Sequence, residues 1–212
     1  MKHKYIAVEG AIGVGKTSLV EALATHFDSA KVLERIENPF LQDFYNDRPG
    51  AAFQAQLFFL LSRHRQLIDL DQQDLFSRFV IADYLLEKDK IFAYLTLTDD
   101  ELIIYDKLYS LLESNVPRPD LTIYLQAGTD VLMDRIRKRS RAVESNLSEK
   151  YIAEVNRSYN HFFFHYTASP LLVVNTSDID FVNRKEDLED LIEQIHSMER
   201  GVQYYVPLGA RV

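Results

Sequence analysis

The sequence contains no cysteine, and this absence excludes disulfide bridges, thiolate metal sites and a cysteine nucleophile. It is compatible with a cytosolic protein, and we expect a cytoplasmic location. No apolar run approaches the roughly 20 residues that span a bilayer. The first residues, Met-Lys-His-Lys-Tyr, run directly into the first predicted strand. We therefore expect a soluble protein with no signal peptide and no contact with a membrane.

Positive charge is also scarce. The chain has 24 Lys and Arg against 32 Asp and Glu, which gives a net charge of -8. A nucleic-acid-binding surface needs a basic face, so we do not expect a nucleic-acid partner. Internal repeats, low-complexity tracts and linkers rich in Pro, Gly or Ser are absent, so we predict one domain over residues 1–212, with a tail at 199–212.

The segment Gly10-Ala-Ile-Gly-Val-Gly-Lys-Thr17 fits the pattern G-x-x-x-x-G-K-[ST] in full. A predicted strand precedes it and a predicted helix follows it, which is the context that this phosphate-binding loop requires. The glycines allow successive N–H groups to face one anion, and the helix N-terminus adds partial positive charge. The pattern predicts a bound nucleoside triphosphate held by the following residues: Gly10, Ala11, Gly13, Val14, Gly15, Lys16, Thr17 and Ser18.

Two residues of this loop have separate predicted roles. Lys16 supplies a mobile cation for the β- and γ-phosphates, and Thr17 supplies a hydroxyl for Mg²⁺. We expect the Lys16 ammonium group to be largely solvated in the free protein.

Short apolar segments alternate with helical ones, which indicates a parallel sheet covered on both faces. We predict an α/β, P-loop kinase-like fold with about five parallel strands and an arginine-rich lid. The predicted strands are Lys4–Glu9, Lys31–Glu34, Ser77–Asp83, Asp120–Leu125 and Leu171–Val174. The predicted helices are Thr17–Phe27, Phe40–Tyr45, Ala51–Asp69, Glu87–Leu97, Asp99–Ser114, Thr129–Arg139, Ser148–Tyr166 and Asp187–Met198.

Two carboxylates follow predicted strands and are candidates for the chemistry. Ligands of such sheets lie beyond the C-terminal strand ends, so Glu34 and Asp83 should border the same crevice as the loop. Glu34 is placed to accept a proton from an attacking hydroxyl; the alternative is a surface glutamate that begins a loop. Asp83 is placed to act through Mg²⁺ or as a base; the alternative is a helix-capping or turn aspartate.

A cationic cluster at residues 135–141 is unusual in an acidic protein. It consists of Arg135, Arg137, Lys138, Arg139 and Arg141. Basic residues suit a helix C-terminus in general. Because this cluster continues beyond the helix, we favour a lid that closes over phosphates and offsets transition-state charge.

Gln56 lies within an apolar, aromatic helical stretch. Its amide offers a donor and an acceptor together, which matches the edge of a nucleobase. A buried glutamine whose partners are backbone groups is the competing explanation.

The order and spacing of these motifs resemble the deoxyribonucleoside kinases over nearly the whole chain, and bacterial purine deoxynucleoside kinases most of all. The resemblance implies ATP and Mg²⁺ as cofactors, a nucleoside substrate and a homodimer. It places Glu34 at the 5′-hydroxyl, Tyr45 and Glu144 at the 3′-hydroxyl, and Gln56 with Arg63 at the base. In the arginine lid, it assigns Arg139 a catalytic role, and it assigns Arg135, Arg139 and Arg141 a role in donor binding. Asp180 and Phe181 fall where the family contacts the adenine of the donor.

The chain departs from the family after the third strand. The family usually carries Glu/Asp-Arg-Ser there, whereas this chain has Ala82-Asp83-Tyr84. The family arginine is therefore missing, and Lys88 stands where an aspartate often contacts the base. Lys88 and Lys90 are the two candidates to replace the missing cation.

We therefore predict an enzyme that moves the γ-phosphate of ATP to the 5′-hydroxyl of a deoxyribonucleoside in nucleotide salvage, with a purine or broad preference. A nucleoside monophosphate kinase of the thymidylate type is one alternative, and Arg35, Arg63 and Lys88 would then contact the substrate phosphate. A non-catalytic nucleotide-binding switch is another alternative.

Overall fold

The computed structural model describes residues 3–35, 37–72, 79–141, 144, 147–181 and 184–206, with the backbone alone at 70–72. A six-stranded parallel sheet with strand order β2-β3-β1-β4-β5-β6 forms its centre. The strands are β1 (Tyr5–Gly10), β2 (Ala30–Val32), β3 (Val80–Ala82), β4 (Leu121–Gln126), β5 (Leu171–Asn175) and β6 (Val202–Tyr205). The helices are α1 (Lys16–Phe27), α2 (Leu41–Tyr45), α3 (Ala51–Gln72), α4 (Lys88–Thr96), α5 (Asp99–Glu113), α6 (Thr129–Arg139), α7 (Glu149–Phe164) and α8 (Lys185–Ser197).

The central strands are buried on both faces, which explains why they appear in the sequence as continuous apolar runs. Ile6 of β1 lies opposite Ile81 of β3 on one side and Leu121 of β4 on the other. Helix α7 covers part of one face, where Phe163 stacks on Tyr124 with ring centroids 4.1 Å apart. The α/β fold with a parallel sheet was therefore predicted correctly.

The strand count was too low by one. The C-terminal tail, for which the sequence predicted no strand, contributes β6, where Val202 lies opposite Leu171 of β5. This strand has four residues, and only alternate ones are partly buried. A short edge strand of this kind lacks the apolar run on which the other strands were predicted. In addition, part of the predicted third strand, residues 77–78, lies outside the described residues.

The sheet brings the phosphate-binding loop to the C-terminal edge, between β1 and α1. Gly10 ends β1 so close to β4 that a Cβ there would lie 2.5 Å from the Leu125 carbonyl oxygen. Gly15 precedes α1 with a φ of 107°, a conformation that side-chain-bearing residues rarely adopt. Glycine is therefore required at both ends of this turn. In the described part of the chain, no helix has the length and apolarity to cross a membrane.

Candidate active site

A cavity of about 270 Å³ opens at the C-terminal edge of the sheet. It brings together side chains from the phosphate-binding loop, from the segments after β2 and β3, from helices α2 to α4, and from the segment after α6. Most of the site residues predicted from the sequence line it: Gly13, Lys16, Thr17, Glu34, Tyr45, Gln56, Arg63, Asp83, Lys88, Arg139, Arg141 and Glu144. The loop and the predicted acceptor residues therefore share one space.

Lys16 does not extend into solvent, contrary to the prediction. Its ammonium group folds back over the loop and donates to the carbonyl oxygens of Gly10 at 2.7 Å and Ala11 at 3.4 Å. Burial, reinforced by the nearby charge of Lys88, lowers the pKa of Lys16 to about 8. A phosphate that entered the loop would add negative charge beside this ammonium group.

Asp83 connects the phosphate loop to the acceptor end of the cavity. Its Oδ2 accepts a hydrogen bond from the Thr17 hydroxyl at 2.8 Å, and its Oδ1 accepts one from the Glu34 backbone N–H at 2.5 Å. A hydroxyl and a carboxylate are the hard oxygen ligands that Mg²⁺ prefers, so this pair fits the metal. Among the described residues, no group of three His, Asp or Glu side chains forms a metal cluster. Thr17 and Asp83 would therefore share a metal with the nucleotide phosphates.

Glu34 is held between two cations. Its Oε1 accepts from Arg63 through Nε at 2.9 Å and also through Nη2, and its Oε2 accepts from the Lys88 ammonium group at 2.6 Å. Burial alone would raise the pKa of Glu34, but the charges of Arg63 and Lys88 lower it well below its usual value. Glu34 is therefore a carboxylate at neutral pH and a weak base until substrate changes its partners.

Two buried acids extend this arrangement, and the sequence did not single out either. Glu9 accepts from the backbone N–H groups of Gly10 at 3.0 Å and Leu85 at 2.8 Å, and it lies 3.8 Å from Lys88. Asp89 pairs with Arg63. Glu9 is a charged residue in an apolar strand directly before the loop, and that was the available signal. Asp89 gave none, because its partner lies 26 residues away in the sequence.

These five side chains form a buried charge chain of alternating sign, in the order Glu9, Lys88, Glu34, Arg63 and Asp89. Burial raises the pKa of Asp89 to about 6, although Arg63 opposes this shift. The chain runs from beneath the phosphate loop to helix α4. It holds Glu34 in one position before any substrate is present.

Of the two lysines considered for the missing cation, only Lys88 lies in the cavity. Its ammonium group contacts Glu34 rather than Gln56, the residue predicted to bind the base. Lys90 points elsewhere, with its ammonium group 4.1 Å from the centre of the Tyr109 ring. The position therefore favours Lys88 over Lys90 as the additional cation, and it does not favour a role for Lys88 at the base.

The basic cluster divides into three parts, one of which, Arg137 with Lys138, is exposed and does not line the cavity. Arg139 forms two hydrogen bonds with Glu144, at 2.6 and 3.2 Å, and Arg141 lies 3.8 Å from the same carboxylate. Burial and the charge of Glu144 raise the pKa of Tyr45 to about 12, so its hydroxyl stays protonated. Arg139, Arg141, Glu144 and Tyr45 thus form a rim that faces the cavity.

Arg135 has a different position. Its guanidinium donates to the backbone carbonyl oxygens of Val14 at 3.1 Å and Thr176 at 2.6 Å, which fastens the loop to the end of β5. Phe181 packs against Gly15, at 3.3 Å from where a Cβ would lie. The backbone N–H of Asp180 donates to Asp187 at 2.7 Å. Arg135 and Phe181 therefore contact the loop, and neither they nor Asp180 line the cavity described above.

The arrangement as a whole is that of a P-loop phosphotransferase with a small-molecule acceptor. The phosphates would be bound by the loop, by Lys16 and by the Thr17–Asp83 pair. The backbone N–H of Glu34 donates to Asp83, and Glu34 lines the same cavity. A hydroxyl placed beside Glu34 would therefore share this cavity with the phosphate-binding residues.

Comparison with known proteins identifies the acceptor class. The family model for deoxynucleoside kinase matches residues 6–199. A deoxyguanosine kinase from Bacillus subtilis (strain 168) is 36% identical over 200 residues, covering 92% of this chain and 97% of the relative. A deoxyadenosine/deoxycytidine kinase from the same organism is 30% identical, covering 93% and 94%.

Solved structures agree with this result. The deoxyadenosine kinase from M. mycoides with products dCMP and a flexible dCDP bound has a TM-score of 0.78 and 25% identity, covering 91% of this chain and 98% of that one. The chain therefore belongs to the deoxynucleoside kinase family. Phosphorylation of deoxynucleosides, which the sequence predicted, is the activity that this membership confers.

Proposed function

We propose that this enzyme transfers the γ-phosphate of ATP to the 5′-hydroxyl of a deoxyribonucleoside in nucleotide salvage, with a preference for purines. The observation that carries the proposal is the Thr17–Asp83–Glu34 connection, because it joins the phosphate-binding end of the cavity to its acceptor end. The relative with 36% identity is a deoxyguanosine kinase, which supports a purine base.

The residues of the chain divide the reaction between them. The 5′-oxygen attacks the γ-phosphorus, a new O–P bond forms, the bond to the β-phosphate oxygen breaks, and ADP leaves. Thr17 and Asp83 would hold Mg²⁺, which would supply charge neutralisation at the nucleotide phosphates. Lys16 and Arg139 place positive charge beside the transferred group, where the transition state concentrates negative charge.

Glu34 orients the 5′-hydroxyl and takes its proton late in the transfer. Its pKa is low because Arg63 and Lys88 both contact it. A loose transition state asks mainly for positioning, so a weak base is sufficient. Lys88 then serves as the further cation of the reaction centre, since it contacts Glu34 and also raises the positive charge near Lys16.

The remaining cavity residues hold the nucleoside. Tyr45 and Glu144 bind the 3′-hydroxyl at the rim, which leaves the enclosed end to the base. Gln56 faces the base edge, and Arg63 borders it, with its guanidinium 4.7 Å from the centre of the Phe59 ring. Arg135, Arg141, Asp180 and Phe181 contribute to the donor side.

The contacts of Arg63 and Lys88 with carboxylates disfavour the monophosphate kinase alternative. Such an enzyme needs positive charge for a substrate phosphate at the acceptor end. Arg63 and Lys88 both point into the cavity, but each already contacts a carboxylate. Arg35 is exposed. A neutral nucleoside matches this acceptor end better than an anionic nucleotide.

We also propose that the enzyme is a cytoplasmic homodimer built as one domain. Helix α5 presents an apolar stripe to solvent, and its side chains are exposed: Ile103, Ile104, Leu108 and Leu111. A contiguous apolar stripe of this kind is typical of a surface that a second protein covers.

An acceptor panel with radiolabelled ATP tests the function. Deoxyadenosine, deoxyguanosine, deoxycytidine and thymidine would each be compared with their 5′-monophosphates at equal concentration. Label transfer to a purine deoxynucleoside, and much less transfer to its monophosphate, is the expected result. Preferred phosphorylation of a monophosphate would establish the monophosphate kinase instead, and bound but unconsumed ATP across the panel would establish the switch.

A further inference from the structure

Gln56 at the base end of the cavity has only half of its amide hydrogen-bonded. It projects from α3 and is 4% exposed. Its Nε2 donates to the hydroxyl of Thr96, the last residue of α4, at 3.3 Å. Its Oε1 is buried and has no hydrogen-bond partner among the described residues. A buried acceptor without a partner is unfavourable, so a core glutamine with no ligand is a poor explanation of this geometry.

The Thr96 hydroxyl determines which way this amide points. A hydroxyl has one proton to donate, and Thr96 donates it to the carbonyl oxygen of Phe92 at 2.8 Å. Towards Gln56, the Thr96 oxygen is therefore only an acceptor. It can meet the amide NH₂ group but not the amide oxygen. A reversed amide would set two acceptors against each other, so Gln56 is held with Oε1 facing away from Thr96.

We propose that Thr96 is a positioning residue that presents Gln56 Oε1 to an N–H donor on the substrate base. Suitable donors are the 6-amino group of adenine and the N1–H group of guanine. The inference rests on the proposed nucleoside kinase function and deepens it. By fixing the orientation of the Gln56 amide, Thr96 makes the site offer a hydrogen-bond acceptor to the base, although Thr96 itself does not contact the base.

Three acceptors and three variants test this role. Purine 2′-deoxyriboside has no N–H on its base and is compared with deoxyadenosine and deoxyguanosine. Thr96→Val keeps the shape of the side chain and removes the hydroxyl, whereas Thr96→Ser keeps the hydroxyl. Thr25→Val is the matched control, because Thr25 also donates to the carbonyl four residues earlier in its helix, Glu21, at 2.8 Å, but it lies at an exposed position of α1, away from the cavity.

The wild-type enzyme should favour its better natural purine over purine 2′-deoxyriboside by about tenfold in kcat/KM, the scale of one hydrogen bond to an otherwise unpaired group. Thr96→Val should reduce that ratio about three- to fivefold through KM, with kcat at saturation unchanged. Thr96→Ser and Thr25→Val should keep the wild-type ratio. In a Gln56→Leu background, Thr96→Val should change the ratio no further, because Thr96 acts through Gln56.

The outcomes separate this inference from the function on which it rests. If the wild-type enzyme phosphorylates no deoxynucleoside, the proposed function is wrong and the inference falls with it. If it phosphorylates them but Thr96→Val keeps the full ratio, or Thr96→Ser fails to restore it, only the role of Thr96 is wrong. Equal use of purine 2′-deoxyriboside by the wild type, or a further effect of Thr96→Val in the Gln56→Leu background, also overturns it.

Discussion

Replacing Lys88 with methionine removes one charge from the buried charge chain while keeping a side chain of similar length. The ammonium group lies 2.6 Å from Glu34 and 3.8 Å from Glu9, and the Lys88 side chain is 4% exposed. The variant leaves three carboxylates, those of Glu9, Glu34 and Asp89, against the single guanidinium of Arg63. Water cannot fully solvate the remaining carboxylates at this depth. Loss of the Lys88 charge should therefore lower the free energy of unfolding.

The size of the loss follows from what remains. Breaking a buried ion pair by removing one partner typically costs about 3–5 kcal/mol. Glu34 keeps Arg63, and Glu9 keeps its two backbone N–H donors. The lower end of that range therefore applies, and we expect the free energy of unfolding at pH 7 to fall by about 3 kcal/mol. Equilibrium unfolding in urea measures it directly.

Lys90→Met is the matched control, two residues further along the same helix. Its ammonium group contacts the Tyr109 ring and no carboxylate in the described structure, so its loss should cost about 1 kcal/mol or less. Equal losses for the two variants would refute the reasoning.

The pH dependence of the Lys88→Met deficit adds a second readout. The folded-state pKa of Glu34 is lowered, so its contribution is present above the unfolded pKa and is lost as the pH falls. The deficit of Lys88→Met should therefore shrink on acidification below the ordinary glutamate pKa. A deficit that stayed constant as the pH fell would mean that Lys88 acts through packing alone.

Three further predictions concern the reaction. Because the pKa of Lys16 is about 8, ATP should bind about tenfold more weakly for each pH unit above that value. Lys16→Met should abolish both this pH dependence and turnover. Calorimetry that shows the same ATP affinity at every pH for the wild type would contradict this prediction. Glu34→Gln should lower kcat about 10²-fold or more at unchanged Mg²⁺ dependence, whereas Asp83→Asn should raise the Mg²⁺ concentration for half-maximal rate; the reverse pattern in steady-state assays would exchange the two roles. Dideoxynucleosides should be poor substrates, and Glu144→Gln should narrow the gap in kcat/KM; equal use of both by the wild type excludes a 3′-hydroxyl contact.

The phosphate-binding loop could be predicted because its information is local. Gly10 to Thr17 are consecutive in the sequence, and the backbone conformation of the turn that they form requires the glycines. The proximity of Glu34 and Asp83 could also be predicted, because parallel strands end at the same edge of the sheet. These two residues lie 49 positions apart in the sequence and are joined by a 2.5 Å hydrogen bond.

The electrostatic partners could not be predicted in the same way. Lys88 contacts Glu34 across 54 positions, and a charged residue in the sequence does not show which opposite charge it will meet. The same limit explains the error over Lys16. Its flexible side chain was expected to reach water, but the carbonyl groups of its own loop lie within hydrogen-bonding distance. Burial, and hence pKa, depends on the packed fold.

The ion pair between Arg139 and Glu144 has a consequence for how each of the two substrates affects the binding of the other. On the proposed assignment, Arg139 contacts the donor phosphates and Glu144 contacts the sugar, yet in this structure the two side chains neutralise each other. ATP that attracts Arg139 frees Glu144 for the nucleoside, and a nucleoside that engages Glu144 frees Arg139 for ATP. Each substrate should therefore raise the affinity of the other, and thermodynamic reciprocity requires the two enhancements to be equal. One surface ion pair would make the two substrates bind synergistically.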